Sequence, residues 1–282
     1  MGQWRGIGCL VMYLQRFLKE NGYEVKGVNP FDVWSGERWL ARIHVGHWAF
    51  IRPHAVRVRQ YAWVVSEGPV DPRANRWLWG FTKVIATSRF VQIELRKAGV
   101  IADLIYPGVD TEMFKPLDVP KLVDVLAVGI YEGPFDDRKF MKHVEEVCFP
   151  LTCHVHTRHT ARYEDLPFMY NQARIYLSLS ACEGFNIPVL EAMACGLPVV
   201  YNDAPATNEF AYGVAVKPKT VRVVDKGLKQ LWHEPDLEKI RKELHRLAAD
   251  EDRIRRLGWE ARKRAMLMDY RITLKRWLDY LS

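Results

Sequence analysis

The 282-residue sequence has no apolar run of the length, about 18 residues, that a membrane-spanning helix requires. The best candidate, Ile7 to Leu14, stops at Gln15 and Arg16, and no small-residue cleavage site follows it, so a buried amphipathic helix is expected rather than a leader. Cysteines are few and odd in number, five in all, and scattered; this excludes a disulfide framework and points to core thiols and a reducing, cytoplasmic setting. Internal repeats, low-complexity segments and nucleic-acid-binding motifs are also lacking. What is present is an apolar content of 49%, ten tryptophans and a formal charge of +7. The first two argue against disorder. The third suits an anionic partner such as a nucleotide or a phospholipid surface, without choosing between them.

The hydrophobic pattern alternates between short apolar runs and helical periodicity. A helix over 7 to 20 ends at Asn21-Gly22, and strands are expected at 23 to 28, 41 to 48, 61 to 66, 83 to 87 and 104 to 106. Ser88 reads as the N-cap of a helix that ends near Gly99. Two prolines between Lys115 and Pro120 read as a linker. Beyond it come strands at 123 to 128, 152 to 156, 174 to 180 and 198 to 202, with helices over 139 to 147 and 188 to 195. From Asp236 the chain is helical and basic, with apolar stripes at Leu237, Ile240, Leu244 and Leu247 and at Leu274, Trp277, Leu278 and Leu281. Such an alternation predicts an α/β protein with parallel sheets wrapped by helices. The expected division is an N-terminal Rossmann-like domain over 1 to 116, a second over 117 to 258, and C-terminal helices over 259 to 282 that cross back to the first. Ligands of such folds bind at the carboxyl ends of the strands.

The chemistry is concentrated in the segment Glu183-Gly-Phe-Asn-Ile-Pro-Val-Leu-Glu191. It follows a strand and opens a helix, with Pro188 at a position where its missing N–H does no harm. Backbone amides around Gly184, Phe185 and Asn186 and the first helical turn then make an anion site fit for a diphosphate. Glu183 and Glu191 flank it; carboxylates accept hydrogen bonds from sugar hydroxyls. Glu191 alone would equally read as an acid complementing a helix start. Two further clusters lie elsewhere in the sequence. Cys148, Cys153, His154, His156 and His159 lie close in sequence, but their spacing is unlike a zinc plan and no metal is expected. His44 and His47 could line an acceptor site or simply belong to the core.

The Glu183–Glu191 string, followed by Gly-Leu-Pro198-Val-Val, resembles the signature of retaining glycosyltransferases of family 4 (glycosyl transferases group 1), which have the GT-B fold. Val84-Ile-Ala-Thr-Ser88, Tyr106-Pro-Gly-Val-Asp110 and Phe114-Lys-Pro116 resemble the family's interdomain passage, and Gly6-Ile-Gly8 its N-terminal glycine loop. The resemblance implies two Rossmann-like α/β/α domains facing a cleft, the first of them shortened here. It implies a nucleoside diphosphate sugar as donor, a glycan, lipid or protein hydroxyl as acceptor, no cofactor and no metal. Glu183 would lie by the donor sugar, Glu191 would hold the ribose, and Gly184, Phe185, Asn186 and Gly8 would contact the donor. The sequence departs from the pattern in three places. Ile130 follows Gly129 where the family has arginine, so Arg138 beside the matching Lys139 is expected to supply the charge. Glu67 stands where a histidine is usual and would orient the acceptor or stabilise charge on the sugar. The opening strand is missing. A sugar-nucleotide epimerase of the same fold, or a non-catalytic nucleic-acid- or glycan-binding module, are the rival readings. No nucleic-acid partner is expected; the basic C-terminal helices read as packed on the domains with a solvated outer face, and peripheral contact with an anionic membrane surface is the alternative.

Overall fold

The computed structural model describes residues 5–27, 40–55, 57–129, 136–156 and 161–282. Val28, Ile130 and His159, which carry parts of the expectations above, lie outside them. The chain forms two compact units: Met1–Ser66 with Val70–Gly108 and Met268–Ser282, and Glu67–Pro69 with Val109–Leu267.

In the first unit, helix α1 (Arg5–Glu20) precedes a four-stranded sheet of β1 (Ala41–His47), β2 (Arg59–Val65), β3 (Lys83–Ala86) and β4 (Asp103–Leu104). The order is β1-β2-β3-β4 and every pair is parallel. Helices α2 (Asn75–Leu78) and α3 (Arg89–Lys97) connect its later strands. Ser88 caps α3 as its sequence indicates, its Oγ accepting from Val91 N–H at 3.2 Å. Two C-terminal helices, Tyr270–Thr273 and Arg276–Leu281, complete the unit. Trp277 and Leu281 are buried, and Trp277 meets Trp63 edge-on at 5.8 Å. Two expectations fail here. Residues 23–27 are irregular rather than a strand. Gly8 stands within α1, not in a loop ahead of it, because the helical periodicity already runs from Arg5.

The second unit is a five-stranded parallel sheet, order β6-β5-β7-β8-β9, from β5 (Val123–Val128), β6 (Cys153–His156), β7 (Ala173–Ser178), β8 (Val199–Asn202) and β9 (Gly213–Val216). Helices α4 (Val144–Cys148), α5 (Leu166–Asn171), α6 (Ile187–Ala194) and α7 (Pro205–Asn208) lie between its strands, and α8 (Leu237–Ala248) and α9 (Glu251–Met266) follow. The central strand β7 is buried on both faces, Ile175 and Leu177 on one and Tyr176 on the other, as a doubly covered parallel strand must be. Each such side chain contributes about 1.5–3 kcal/mol by leaving water. The stripe Ile240, Leu244 and Leu247 of α8 packs into the same core. The helix expected over 139 to 147 is broken. Phe140 takes a left-handed φ of 51°, which splits the segment into short 3₁₀ turns, Asp136–Lys139 and Met141–His143, before α4 begins. An antiparallel ribbon of β10 (Thr220–Asp225) and β11 (Lys229–Glu234) lies outside the sheet. No helix among the described residues is long and apolar enough to cross a membrane.

Helix α6, which opens the motif, is held by close packing. A Cβ on Gly258 of α9 would fall 2.2 Å from the Gly196 carbonyl oxygen. Arg262, one turn on, donates to the carbonyls of Ala194 (2.7 Å), Phe114 (2.8 Å) and Thr111 (3.0 Å). It thus neutralises the negative end of α6. Gly258→Ala is expected to destabilise the protein by about 1–3 kcal/mol, read from the denaturant midpoint at unchanged m-value.

Candidate functional site

The site is built at the carboxyl end of β7. After Ser178 the chain turns through Ser180 and Glu183 and enters α6 at Ile187, with Pro188 in its first turn and no side chain capping its start. Asn186 makes the turn possible in a left-handed conformation, φ 87° and ψ 61°, which asparagine adopts more readily than other residues with a Cβ. Its side-chain amide donates to Ser178 Oγ at 3.3 Å and Thr207 Oγ1 at 3.2 Å, tying the turn to β7 and α7. Phe185 is buried and stacked on Phe210 at 4.5 Å, so its ring belongs to the core.

Glu183 is the centre of a charge cluster. It is only 8% exposed, yet it is ionised. Burial pushes its pKa up; Lys139 and Arg138 push it down further, and the balance leaves it at about 2. Lys139 Nζ pairs with Oε1, which also accepts from Ser180 Oγ at 2.8 Å. Arg138 Nη1 donates to Oε2 at 3.0 Å and to the Cys182 carbonyl at 2.9 Å. The other arm, Nη2, lies 3.9 Å from Glu67 Oε1. Burial lowers the Arg138 pKa, but Glu183 and Glu67 outweigh it and keep the guanidinium charged. The structure therefore brings together Glu183, Lys139, Arg138 and Glu67.

Glu191 lies at the start of the second turn of α6, in separate company. Its Oε1 accepts from Tyr163 Oη and its Oε2 from Tyr170 Oη, both at 2.8 Å. The Tyr170 pKa is raised by burial and by Glu191, so this phenol stays protonated and donates. Gly8 belongs to the first unit, with nothing within 4 Å of a Cβ placed on it. His44 and His47 are also there. His44, near Gln60, His54 and Phe81, has its pKa lowered to about 4 by burial and then by His54, so it is neutral.

Ser180 and the two tyrosines are functional candidates that the sequence does not disclose. Tyr163 and Tyr170 precede Glu191 by 28 and 21 residues, and nothing local marks the pairing. Cys148 and Cys153 are free thiols, and among the described residues no group of three or more His, Cys, Asp and Glu could hold a metal ion.

Comparison with known proteins agrees with this geometry. Residues 144–251 match the family model described as Glycosyl transferases group 1. The O-antigen chain mannosyltransferase B of Escherichia coli is 38% identical over 69 residues, 24% of this chain and 18% of that protein. A protein of Sulfolobus islandicus filamentous virus, provisionally named glycosyltransferase 41, is 26% identical over 174 residues, 56% of this chain and 53% of the relative. The chain thus spans about half or less of the curated relatives it matches. Among solved structures, sucrose-phosphate synthase from Thermosynechococcus elongatus superposes with a TM-score of 0.65 at 18% identity, covering 86% of this chain and 73% of that one. HepE from Anabaena, in complex with UDP-glucose, gives 0.62 at 15%, covering 80% and 72%. The fold is α/β with parallel sheets and matches GT-B glycosyltransferases, and the family match supports a glycosyltransferase.

Two measurements check the site's construction. The folded pKa of Glu183 lies below its ordinary 4.5, so its stabilising contribution is full above pH 4.5 and is lost as pH falls through about 2. Glu183→Gln is expected to flatten that part of the stability–pH curve, and to cost about 3–5 kcal/mol at neutral pH by stranding two cations. At Asn186, alanine should destabilise more than glycine in thermal melts, because both lose the side-chain bonds but only alanine retains the strain of positive φ.

Proposed function

We propose that the protein is a retaining glycosyltransferase that moves a hexose from a nucleoside diphosphate sugar to a hydroxyl acceptor. The observation that carries this reading is that Lys139 and Arg138 both pair with Glu183 at the carboxyl end of β7, beside the uncapped start of α6. Two fixed cations and a helix N-terminus make a place for a diphosphate. Glu183 among them supplies a carboxylate that can accept from a sugar hydroxyl. Glu191 would serve the ribose hydroxyls, and the backbone of Gly184, Phe185 and Asn186 would contact the donor. UDP-glucose bound to HepE, a protein of the same fold, supports a nucleotide sugar as donor.

In the reaction as proposed, the acceptor oxygen attacks the anomeric carbon on the face from which the diphosphate leaves. The bond from that carbon to the phosphate oxygen breaks as the new glycosidic bond forms. The departing phosphate oxygen takes the acceptor proton, so no protein nucleophile is needed. Lys139 and Arg138 stabilise the charge that develops on the diphosphate. They do the work that a metal does in other transferases, and no cofactor enters the scheme.

Thermal-shift screening against UDP-, GDP- and ADP-sugars tests the reading: one of them should raise the melting temperature, since a ligand that binds only the native state stabilises it. With that donor, Glu191→Ala should weaken donor binding by about tenfold or more, and Lys139→Ala should slow transfer by about 10²–10³-fold. Turnover of the donor with no acceptor present would identify an epimerase instead. Unchanged transfer kinetics in both variants would remove this site assignment.

A further inference from the structure

The β10–β11 ribbon is fastened to the charge cluster through its inner strand. Leu231 N–H of β11 donates to the Glu67 carbonyl at 3.0 Å, and His233 N–H donates to the Ala181 carbonyl at 2.8 Å. The Asn202 side-chain amide joins the same strand to the same loop, donating to the carbonyls of His233 (2.6 Å) and Ser180 (3.0 Å). One strand therefore sets the position of two segments, the loop that carries Ser180 and Glu183 and the tripeptide Glu67–Pro69.

The second attachment depends on glycine. A Cβ on Gly68 would fall 2.5 Å from Leu231 N and 2.6 Å from both Gln230 Cα and the Lys229 carbonyl oxygen. These are backbone atoms of a paired strand and cannot swing aside, so a methyl group does not fit. Backbone contact at Gly68 delivers the neighbouring Glu67 carboxylate to Arg138. The guanidinium is a rigid planar fork. Glu183 and the Cys182 carbonyl hold it by Nη1 alone. Those two bonds anchor the Nη1 end and leave the Nη2 end, which Glu67 faces with its charge at 3.9 Å.

We propose that Gly68 and β11 form a clamp that makes Glu67 a positioning residue: its charge holds the Nη2 end of the Arg138 guanidinium and acts on the leaving diphosphate only through it. This inference rests on the donor reading above.

A double-mutant cycle in the full chain tests it, with the donor found by the thermal-shift screen. Glu67→Gln should lower kcat about tenfold at nearly unchanged donor KM, the signature of an interaction used in the transition state. In an Arg138→Lys background, which has no second arm to orient, Glu67→Gln should cause no further loss. Gly68→Ala, which changes no charge, should lower kcat as Glu67→Gln does; if it does not fold, the cycle decides alone. Additive effects of Glu67→Gln and Arg138→Lys would overturn the clamp. With Lys139→Ala run alongside, the two failures separate. Additivity together with slowed transfer in Lys139→Ala leaves the donor reading standing and rejects the clamp. No donor bound by the wild type, or full transfer in Lys139→Ala, rejects the donor reading and the clamp with it.

Discussion

The buried carboxylate of Glu183 between Lys139 and Arg138 is the constraint around which the second unit is arranged. Three charges in a desolvated place are costly unless each is matched and hydrogen-bonded. Here the match comes from distant parts of the chain. The two cations arrive on a 3₁₀ turn beyond β5, the acid on the loop after β7, and Glu67 on a tripeptide from a separate stretch. Backbone bonds bring these parts into register: Ala181 N–H donates to the Arg138 carbonyl at 2.7 Å, on the loop that also carries Glu183. Main-chain bonds and ion pairs therefore hold these segments together jointly.

Helix α6 supplies the other half of the arrangement. Its start is shaped by Asn186 and Pro188 and left without a side-chain cap, while its end is closed by Arg262 and by the approach of α9 at Gly258. A short helix fixed this firmly presents its first-turn amides in one direction. The backbone dipole and the two cations then favour the same kind of ligand, an anion.

The alternation of apolar runs with helical periodicity made the parallel α/β architecture legible, since doubly covered strands such as β7 are mostly apolar, here around Ile175, Tyr176 and Leu177. The Glu183–Glu191 spacing and Pro188 were equally readable, because they are local. Three kinds of feature were not. The break at Phe140 depends on a left-handed residue that is neither glycine nor asparagine, which pattern reading does not anticipate. The β10–β11 ribbon was missed although Thr220–Asp225 alternates and Gly227 marks the turn; β10 is mostly exposed, so burial imposed little apolar pattern on it. The partners of Glu191 and the meeting of Glu67 with Arg138 are long-range pairings with no local trace. Gly8 was read as part of a loop from a short glycine-bearing string, whereas it lies within a helix.

The two phenols on Glu191 have a consequence for any ligand that arrives there. Tyr170 is fully buried, whereas Tyr163 is half-buried and lies edge-on to Phe114 at 5.5 Å. An incoming hydroxyl seeking this carboxylate meets an oxygen already engaged by a side chain, not by bulk solvent. Capture there is then an exchange of one alcohol-like donor for another, close to neutral in enthalpy. Selectivity in such an exchange comes from shape and from the release of the tyrosine, so bidentate vicinal diols are favoured over lone hydroxyls.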